Sequence, residues 1–230
     1  MKQDTNFRKY IEPYVTGQKN SCSYCDRIDP LIIYYGEHFY ITSAIGSYMP
    51  GYIQLCSYKH RTSATGILST EYDEFEKLNQ GIRICFKKVY GTYGICFEHG
   101  QAGSCLWTEN NINSLCHHMH IHYLPASIDI HPQISHNYSD FYKVNSVADM
   151  IKIRKEMLRG GAYLYFSPTI NVGYMYDVSN INVPRQFLRR CVAEKLGCTE
   201  KADWCSYTGE EYFQSTIDQL KKLFETELKN

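Results

Sequence analysis

The apolar positions of the chain follow two periods. Residues 69–90, "STEYDEFEKLNQGIRICFKKVY", carry Phe75, Leu78, Ile82, Phe86 and Val89 on one stripe, which predicts the longest helix. Ser69 is placed to cap it, and Glu71 and Glu74 fall in its first turns. Ahead of it, "DPLIIYYGEHFYITSA" predicts two strands about a turn at Gly36, and "PGYIQLCSYKH" a third beginning after Pro50-Gly51. Behind it, "YGICFEHG" predicts a fourth strand, "QAGSCLWTENNINS" a loop, and "CHHMHIHYLP" a fifth strand. The first twenty residues read as a short helix with a polar lead-in, and "SCSYCDRI" as a turn with CxxC spacing. After Pro125 the chain looks loop-rich to about residue 145. Then come a helix in "VADMIKIRKEMLRGG", stopped by its Gly-Gly, and a hairpin in "AYLYFSPTINVGYMYDV". A second helix, "PRQFLRRCVAEKLG", lies between Pro184 and Gly197, and a last one places Phe213, Ile217, Leu220 and Phe224 on one face. Strands, a long helix and further strands make an α+β order, with a domain at 1–145 and a helix-and-hairpin extension at 146–230 packed on it.

The fifth strand concentrates imidazole. Side chains alternate faces along a strand, so His118, His120 and His122 point the same way, roughly 6.6–7 Å apart. Met119, Ile121 and Tyr123 line the opposite, apolar face, and Pro125 ends the run. Two chemistries suit such a row. A catalytic metal can sit on His-x-His, but cupin-like sites add a glutamate soon after, and here the first following carboxylate is Asp129. Sites of the HxHxDH type need an aspartate between the histidines, and none is present. Alternatively, a neutral imidazole attacks phosphorus to form a phosphoramidate, and a neighbouring imidazole serves the leaving oxygen. Cys22 and Cys25 have the spacing of a zinc knuckle, yet a tetrahedral site needs two more ligands and no second CxxC exists. Two surface thiols in a turn are the competing reading.

Composition narrows the partners. With 24 Lys and Arg against 24 Asp and Glu, no global charge favours nucleic acid or an anionic membrane. No apolar run approaches a membrane span, and the N-terminus lacks a hydrophobic signal core, so a cytoplasmic protein is expected. The ten cysteines are then reduced thiols or metal ligands rather than a disulfide framework.

"HHMHIHYLP" is similar to the HφHφHφφ signature (φ apolar) of the histidine-triad, or HIT, superfamily. "PGYIQLCSYKH" resembles that family's PGH-strand-PKxH segment, ending here in His60. "FEHG" ahead of a glycine-containing loop resembles the strand and phosphate loop before the triad. "PRQFLRRCVAEKLG", with Trp204 nearby, resembles the C-terminal extension of bacterial members that carry FEHG. The likeness covers residues 20–125 well and 160–205 more loosely. It implies a HIT-like antiparallel sheet with a long packing helix, and nucleotidyl transfer or hydrolysis at an α-phosphate. His120 would be the nucleophile that carries the nucleoside monophosphate, and His122 would serve the phosphate and the leaving oxygen. Histidine at 122 is like the hydrolase and phosphorylase branches, since the uridylyltransferase branch has glutamine there. Members with a CxxC complete a structural zinc with the histidine ending the PKxH segment and the first of the triad. That set is Cys22, Cys25, His60 and His118 here.

Implied substrate contacts are Glu98, at a position where other members often hold an asparagine near the nucleotide, and Gly103 and Ser104 in the loop. Arg185, Arg189 and Arg190 are candidate cations for a polyphosphate or second substrate, against a solvated helix face as the preferred reading. The expected partner is a nucleotide or nucleotide conjugate, with no organic cofactor. Many members are homodimers that continue the sheet, an interface the C-terminal segment can replace. Rival functions are a biosynthetic nucleotidyltransferase or phosphorylase with a specific acceptor, a nucleotide-binding protein without turnover, and a catalytic metal centre.

Overall fold

In the computed structural model, which describes residues 6–19, 21–101, 118–156 and 161–228, short alternating runs build one antiparallel sheet. The chain begins with α1 (Arg8–Val15) and the single turn α2 (Ser23–Asp26), followed by β1 (Ile32–Tyr35), β2 (Phe39–Ser43) and β3 (Ile53–Ser57). Then come α3 (Tyr72–Tyr90), β4 (Ile95–Gly100), β5 (His120–Leu124), α4 (His131–Asn137), β6 (Phe141–Val144) and α5 (Val147–Glu156). The hairpin β7 (Tyr163–Thr169) and β8 (Val172–Asp177), then α6 (Phe187–Lys195) and α7 (Phe213–Glu227), complete it. The strand order is β1-β2-β3-β5-β4-β7-β8-β6, so strands from both sides of residue 145 share one sheet. The fold is α+β.

Period-two alternation gives the sheet two apolar faces. Ile33, Ile41, Leu55, Ile121, Tyr123 and Tyr165 face α3, α5 and α7. Tyr52, Phe97, Leu124, Phe166 and Tyr176 face α4, α6 and the loops before them. Helix α3 buries Phe75, Leu78, Ile82 and Phe86, each contributing roughly 1.5–3 kcal/mol. The expected stripe stops there: Val89 is 38% exposed, and Gly91 in the left-handed region (φ 74°) ends the helix just after it. Ser69 does not cap α3. Residues 69–71 form a 3₁₀ turn, and the buried Glu71 carboxylate accepts from the Leu68 N–H at 3.0 Å. The Arg61 guanidinium beside Glu71 holds that carboxyl down, to about 2.

The segment after Pro125 is more ordered than its composition suggests. Asp129 accepts from the His131 N–H (2.8 Å) and Pro132 sits in the first turn, which together start α4; β6 pairs with β8 at the edge of the sheet. Helix α7 packs against α3, β1 and β2, and its Thr216 hydroxyl accepts from the Gly51 N–H at 2.9 Å. Among the described residues, no helix is long and apolar enough to cross a membrane.

Candidate active site and metal centre

Strand β5 lies between β3 and β4, with His120 opposite Cys56 and His122 opposite both Gln54 and Phe97. A strand paired on both edges cannot slip register, so the imidazoles stay on one face. His118 enters the strand buried; its Nε2–H donates to the Ser57 carbonyl at 2.7 Å, which leaves Nδ1 bare. That nitrogen lies 3.5 Å from the sulfurs of both Cys22, which precedes α2, and Cys25, which lies within it. The Cys25 sulfur is also 3.2 Å from His60 Nδ1, and all four donor atoms fall within 4.8 Å of one another. Zinc–ligand lengths of about 2.3 Å to sulfur and about 2.05 Å to nitrogen give tetrahedral S···N edges of about 3.5–3.6 Å, close to the separations here. Two thiols and two imidazoles thus form a group that can hold a metal ion. The backbone carbonyl behind His118 supplies the outer support such ligands ordinarily have. Burial and the neighbouring Cys22 sulfur push the Cys25 thiol up to about 11; a dication at the centre would reverse that preference and favour the thiolates.

His120 faces a cleft beside this group. Its Nδ1–H donates to the His118 carbonyl at 2.7 Å, so its Nε2 keeps a free lone pair. The Tyr24 ring, carried between the two cysteines by α2, stacks on it at 4.6 Å and 16°. Burial holds the imidazolium down, to about 4, so His120 is neutral near pH 7. His122 turns an edge to His120, with ring centroids 4.9 Å apart, and lies flat on Phe97 at 4.6 Å. Its Nδ1 is 2.8 Å from the Tyr52 hydroxyl and 3.4 Å from the Gln54 amide nitrogen. Burial first, then the neighbouring His120 imidazole and the Arg189 charge, hold it well below the ordinary histidine range. The cleft runs from Phe97, His99, His120 and His122 on the sheet to Phe187, Leu188 and Trp204 of the C-terminal segment.

No family model matches the chain, and no curated protein matches it. Among solved structures it is similar to a Hit-like protein involved in cell-cycle regulation from Bartonella henselae, with unknown ligand. The two are 15% identical, the match covers 51% of this chain and 76% of that one, and the TM-score is 0.32. At that level the likeness carries no function across, and the site speaks through its own geometry.

The sequence-expected residues divide clearly. Cys22, Cys25, His60 and His118 come together, and His120 and His122 share the cleft. Glu98 does not join them. Strand alternation sends Phe97 and His99 to the cleft and Glu98 to the other face, where its carboxylate is buried and accepts from the Ala64 N–H (2.9 Å) and the Tyr163 hydroxyl. Gly103 and Ser104 lie outside the described residues. Arg189 is neither solvated nor open to a phosphate. It is buried, and its three nitrogens donate to the Tyr52 hydroxyl oxygen, the Gly46 carbonyl and the Ala202 carbonyl. Arg185 donates to the Cys205 sulfur, and Arg190 is exposed. Tyr24, Tyr52 and Gln54 are the site residues the sequence reading passed over. Tyr52 and Gln54 do alternate on the third predicted strand, but nothing local shows that this face meets the histidines.

Burial raises the Glu98 carboxyl to about 7. Its proton is then held more tightly in the folded chain than in the unfolded one, whose carboxyl titrates near its ordinary value. Stability should therefore fall as pH rises from about 4.5 to about 7, and level off above. Glu98→Gln keeps an acceptor but cannot ionise. Urea denaturation should find it gaining on the wild type by about 3 kcal/mol between pH 4.5 and pH 8. A difference that stays constant with pH would contradict this.

Proposed function

We propose that the protein is a nucleotidyl hydrolase or transferase that works through a covalent nucleotidyl-His120 intermediate. The observation that carries this reading is the His120 imidazole itself: neutral, its Nδ1–H bound to the His118 carbonyl, its Nε2 lone pair bare in a cleft beside a second imidazole. That is the state a nitrogen nucleophile needs at neutral pH. The Nε2 lone pair attacks the α-phosphorus of a nucleotide conjugate. The bond to the leaving atom breaks, and that atom takes a proton through His122. Water or another acceptor then attacks phosphorus, the P–N bond breaks, and the monophosphoryl product leaves. The aromatic rings of Phe187 and Trp204, which line the cleft, suit a nucleobase and an aromatic or apolar leaving group.

The ion in the Cys22, Cys25, His60 and His118 group is zinc in this reading, and its role is structural. Two sulfur and two nitrogen donors close a tetrahedron without an open position. His120 and His122 lie outside that group, which supports a phosphorus nucleophile over a catalytic metal centre. Metal analysis of the purified chain should find one zinc per molecule, and turnover should need no added metal. Two metals per chain, with activity restored by the second, would favour the metal centre instead.

The test of function is a panel of dinucleoside polyphosphates, nucleoside phosphoramidates, adenylyl sulfate and nucleotide sugars, followed by chromatography. Release of nucleoside monophosphate from one class names the leaving group. Tight nucleotide binding without release from any class, even with acceptors added, would point to a binding protein without turnover.

A further inference from the structure

Tyr52 is fully buried, and its oxygen has two neighbours. Arg189 Nη1 lies 2.9 Å away and His122 Nδ1 lies 2.8 Å away. A guanidinium can only donate, so the phenol oxygen accepts from Arg189. The phenol proton must then find an acceptor, and among the described residues His122 Nδ1 is the one within reach. Were His122 protonated on Nδ1, the Tyr52 proton would be buried without a partner, which costs roughly 1–3 kcal/mol. The Gln54 amide adds a second, longer donor to the same nitrogen. His122 therefore carries its proton on Nε2, the tautomer opposite to that of His120. One strand presents a bare Nε2 and a protonated Nε2 side by side, the first set by a backbone carbonyl and the second by an arginine acting through a phenol.

A neutral imidazole cannot surrender its only proton without taking another. We propose that Arg189, Tyr52 and His122 form a proton relay that serves the leaving group. As the bond from phosphorus to the leaving atom breaks, His122 Nε2–H passes its proton to that atom. Tyr52 passes its own to His122 Nδ1, and the resulting phenolate rests against the Arg189 guanidinium. In the second half-reaction water adds its oxygen to phosphorus, its proton goes to His122 Nε2, and Nδ1–H returns to Tyr52. Protons and charge balance over the two steps. The relay rests on the nucleotidyl-transfer reading, and it makes Tyr52 and Arg189 positioning residues that act through His122.

The surroundings of Arg189 fit such a role. Its guanidinium lies 4.7 Å from the Tyr48 ring centroid and 5.6 Å from that of Tyr52, and no carboxylate is among its hydrogen-bond partners. Its positive charge is thus free to offset a phenolate. The Tyr48 hydroxyl fastens the backbone by donating to the Arg189 carbonyl at 3.0 Å. Gly46 accepts from Nη2 with its backbone at φ +82°; a Cβ there would lie 2.6 Å from the guanidinium and 2.5 Å from the Trp204 Cβ. The loop before β3, helix α6 and the Trp204 segment therefore meet on one cation.

The experiment pairs two readouts on the full chain. The first is ¹⁵N–¹H NMR of the histidine rings. Wild-type His122 should show a pyrrole-type Nε2 and a pyridine-type Nδ1, and Tyr52→Phe and Arg189→Met should mix the two tautomers. The second is leaving-group dependence, with a nucleoside 5′-phosphoramidate as the poor leaving group and a nucleoside 5′-p-nitrophenyl phosphodiester as the good one. Tyr52→Phe should slow the phosphoramidate on the order of 100-fold and the p-nitrophenyl ester by less than about 5-fold, since a nitrophenolate needs no proton. Arg189→Lys keeps the charge and one donor, and should recover most of the loss seen in Arg189→Met. A purely structural role predicts equal losses on both substrates, and that result, or Nδ1–H on wild-type His122, would overturn the relay. If the wild type turns over neither of these substrates nor any other member of the nucleotide-conjugate panel, the nucleotidyl-transfer reading itself fails. Failure of the relay alone shows instead as turnover with the wrong tautomer or without leaving-group dependence.

Discussion

Replacing His120 with alanine should lower nucleoside monophosphate release on the order of 10⁴-fold while changing nucleotide affinity by less than about tenfold. Loss of an attacking atom removes the route rather than one interaction along it. The neighbouring imidazole cannot substitute, because the His122 ring lies flat on Phe97 and its Nδ1 is engaged by Tyr52. The contrast between rate and affinity is informative: Tyr24, Phe97 and the C-terminal aromatics still line the cleft in the variant. Chromatographic rates and calorimetric binding on the same preparations check both halves. Residual turnover within tenfold of wild type would mean that water attacks phosphorus directly, with the histidines as a binding surface.

Replacing Cys22 and Cys25 together with serine should abolish metal binding and reduce stability on the order of 5 kcal/mol. Structural zinc in isolated knuckles contributes roughly 10–16 kcal/mol, and a chain with other apolar clusters depends on it less. Cys22 precedes and Cys25 lies within a helix of only four residues, too short to persist by itself, so the metal is what would fix α2. Tyr24 sits in that turn against His120, and the Tyr40 hydroxyl donates to its carbonyl at 2.8 Å. Activity should therefore fall further than the unfolded fraction alone accounts for. Metal content, denaturation midpoint and turnover measured together test this. A double variant as stable as the wild type would make the pair ordinary surface thiols.

Much of the fold was legible because its signals are local. The period-two run from His118 to Tyr123 and the stripe from Phe75 to Phe86 each show their buried face within one segment. The metal group depended on the resemblance, since nothing between Cys25 and His60 announces that they meet. Helix α4 and strand β6 escaped because α4 buries only Ile134 and β6 is a half-exposed edge strand. The placement of Glu98 is not legible in the sequence for a physical reason. Alternation says that it and His99 face opposite ways, but not which of them looks at the histidines. That depends on the pairing of β4 with β5 and β7, a long-range choice. Arg189 looked like one member of a solvated arginine cluster, and only the approach of residues 46–52 and Ala202 buries it.

A covalent bond between His120 and phosphorus is directly visible to intact-mass spectrometry. Wild-type protein mixed with a nucleoside 5′-p-nitrophenyl phosphodiester and quenched within the first turnover should gain the mass of one nucleoside monophosphoryl group. The adduct should be acid-labile, map to His120, and be absent from His120→Ala. Nitrophenolate release without any adduct on the wild type, or an adduct that survives His120→Ala, would contradict the account.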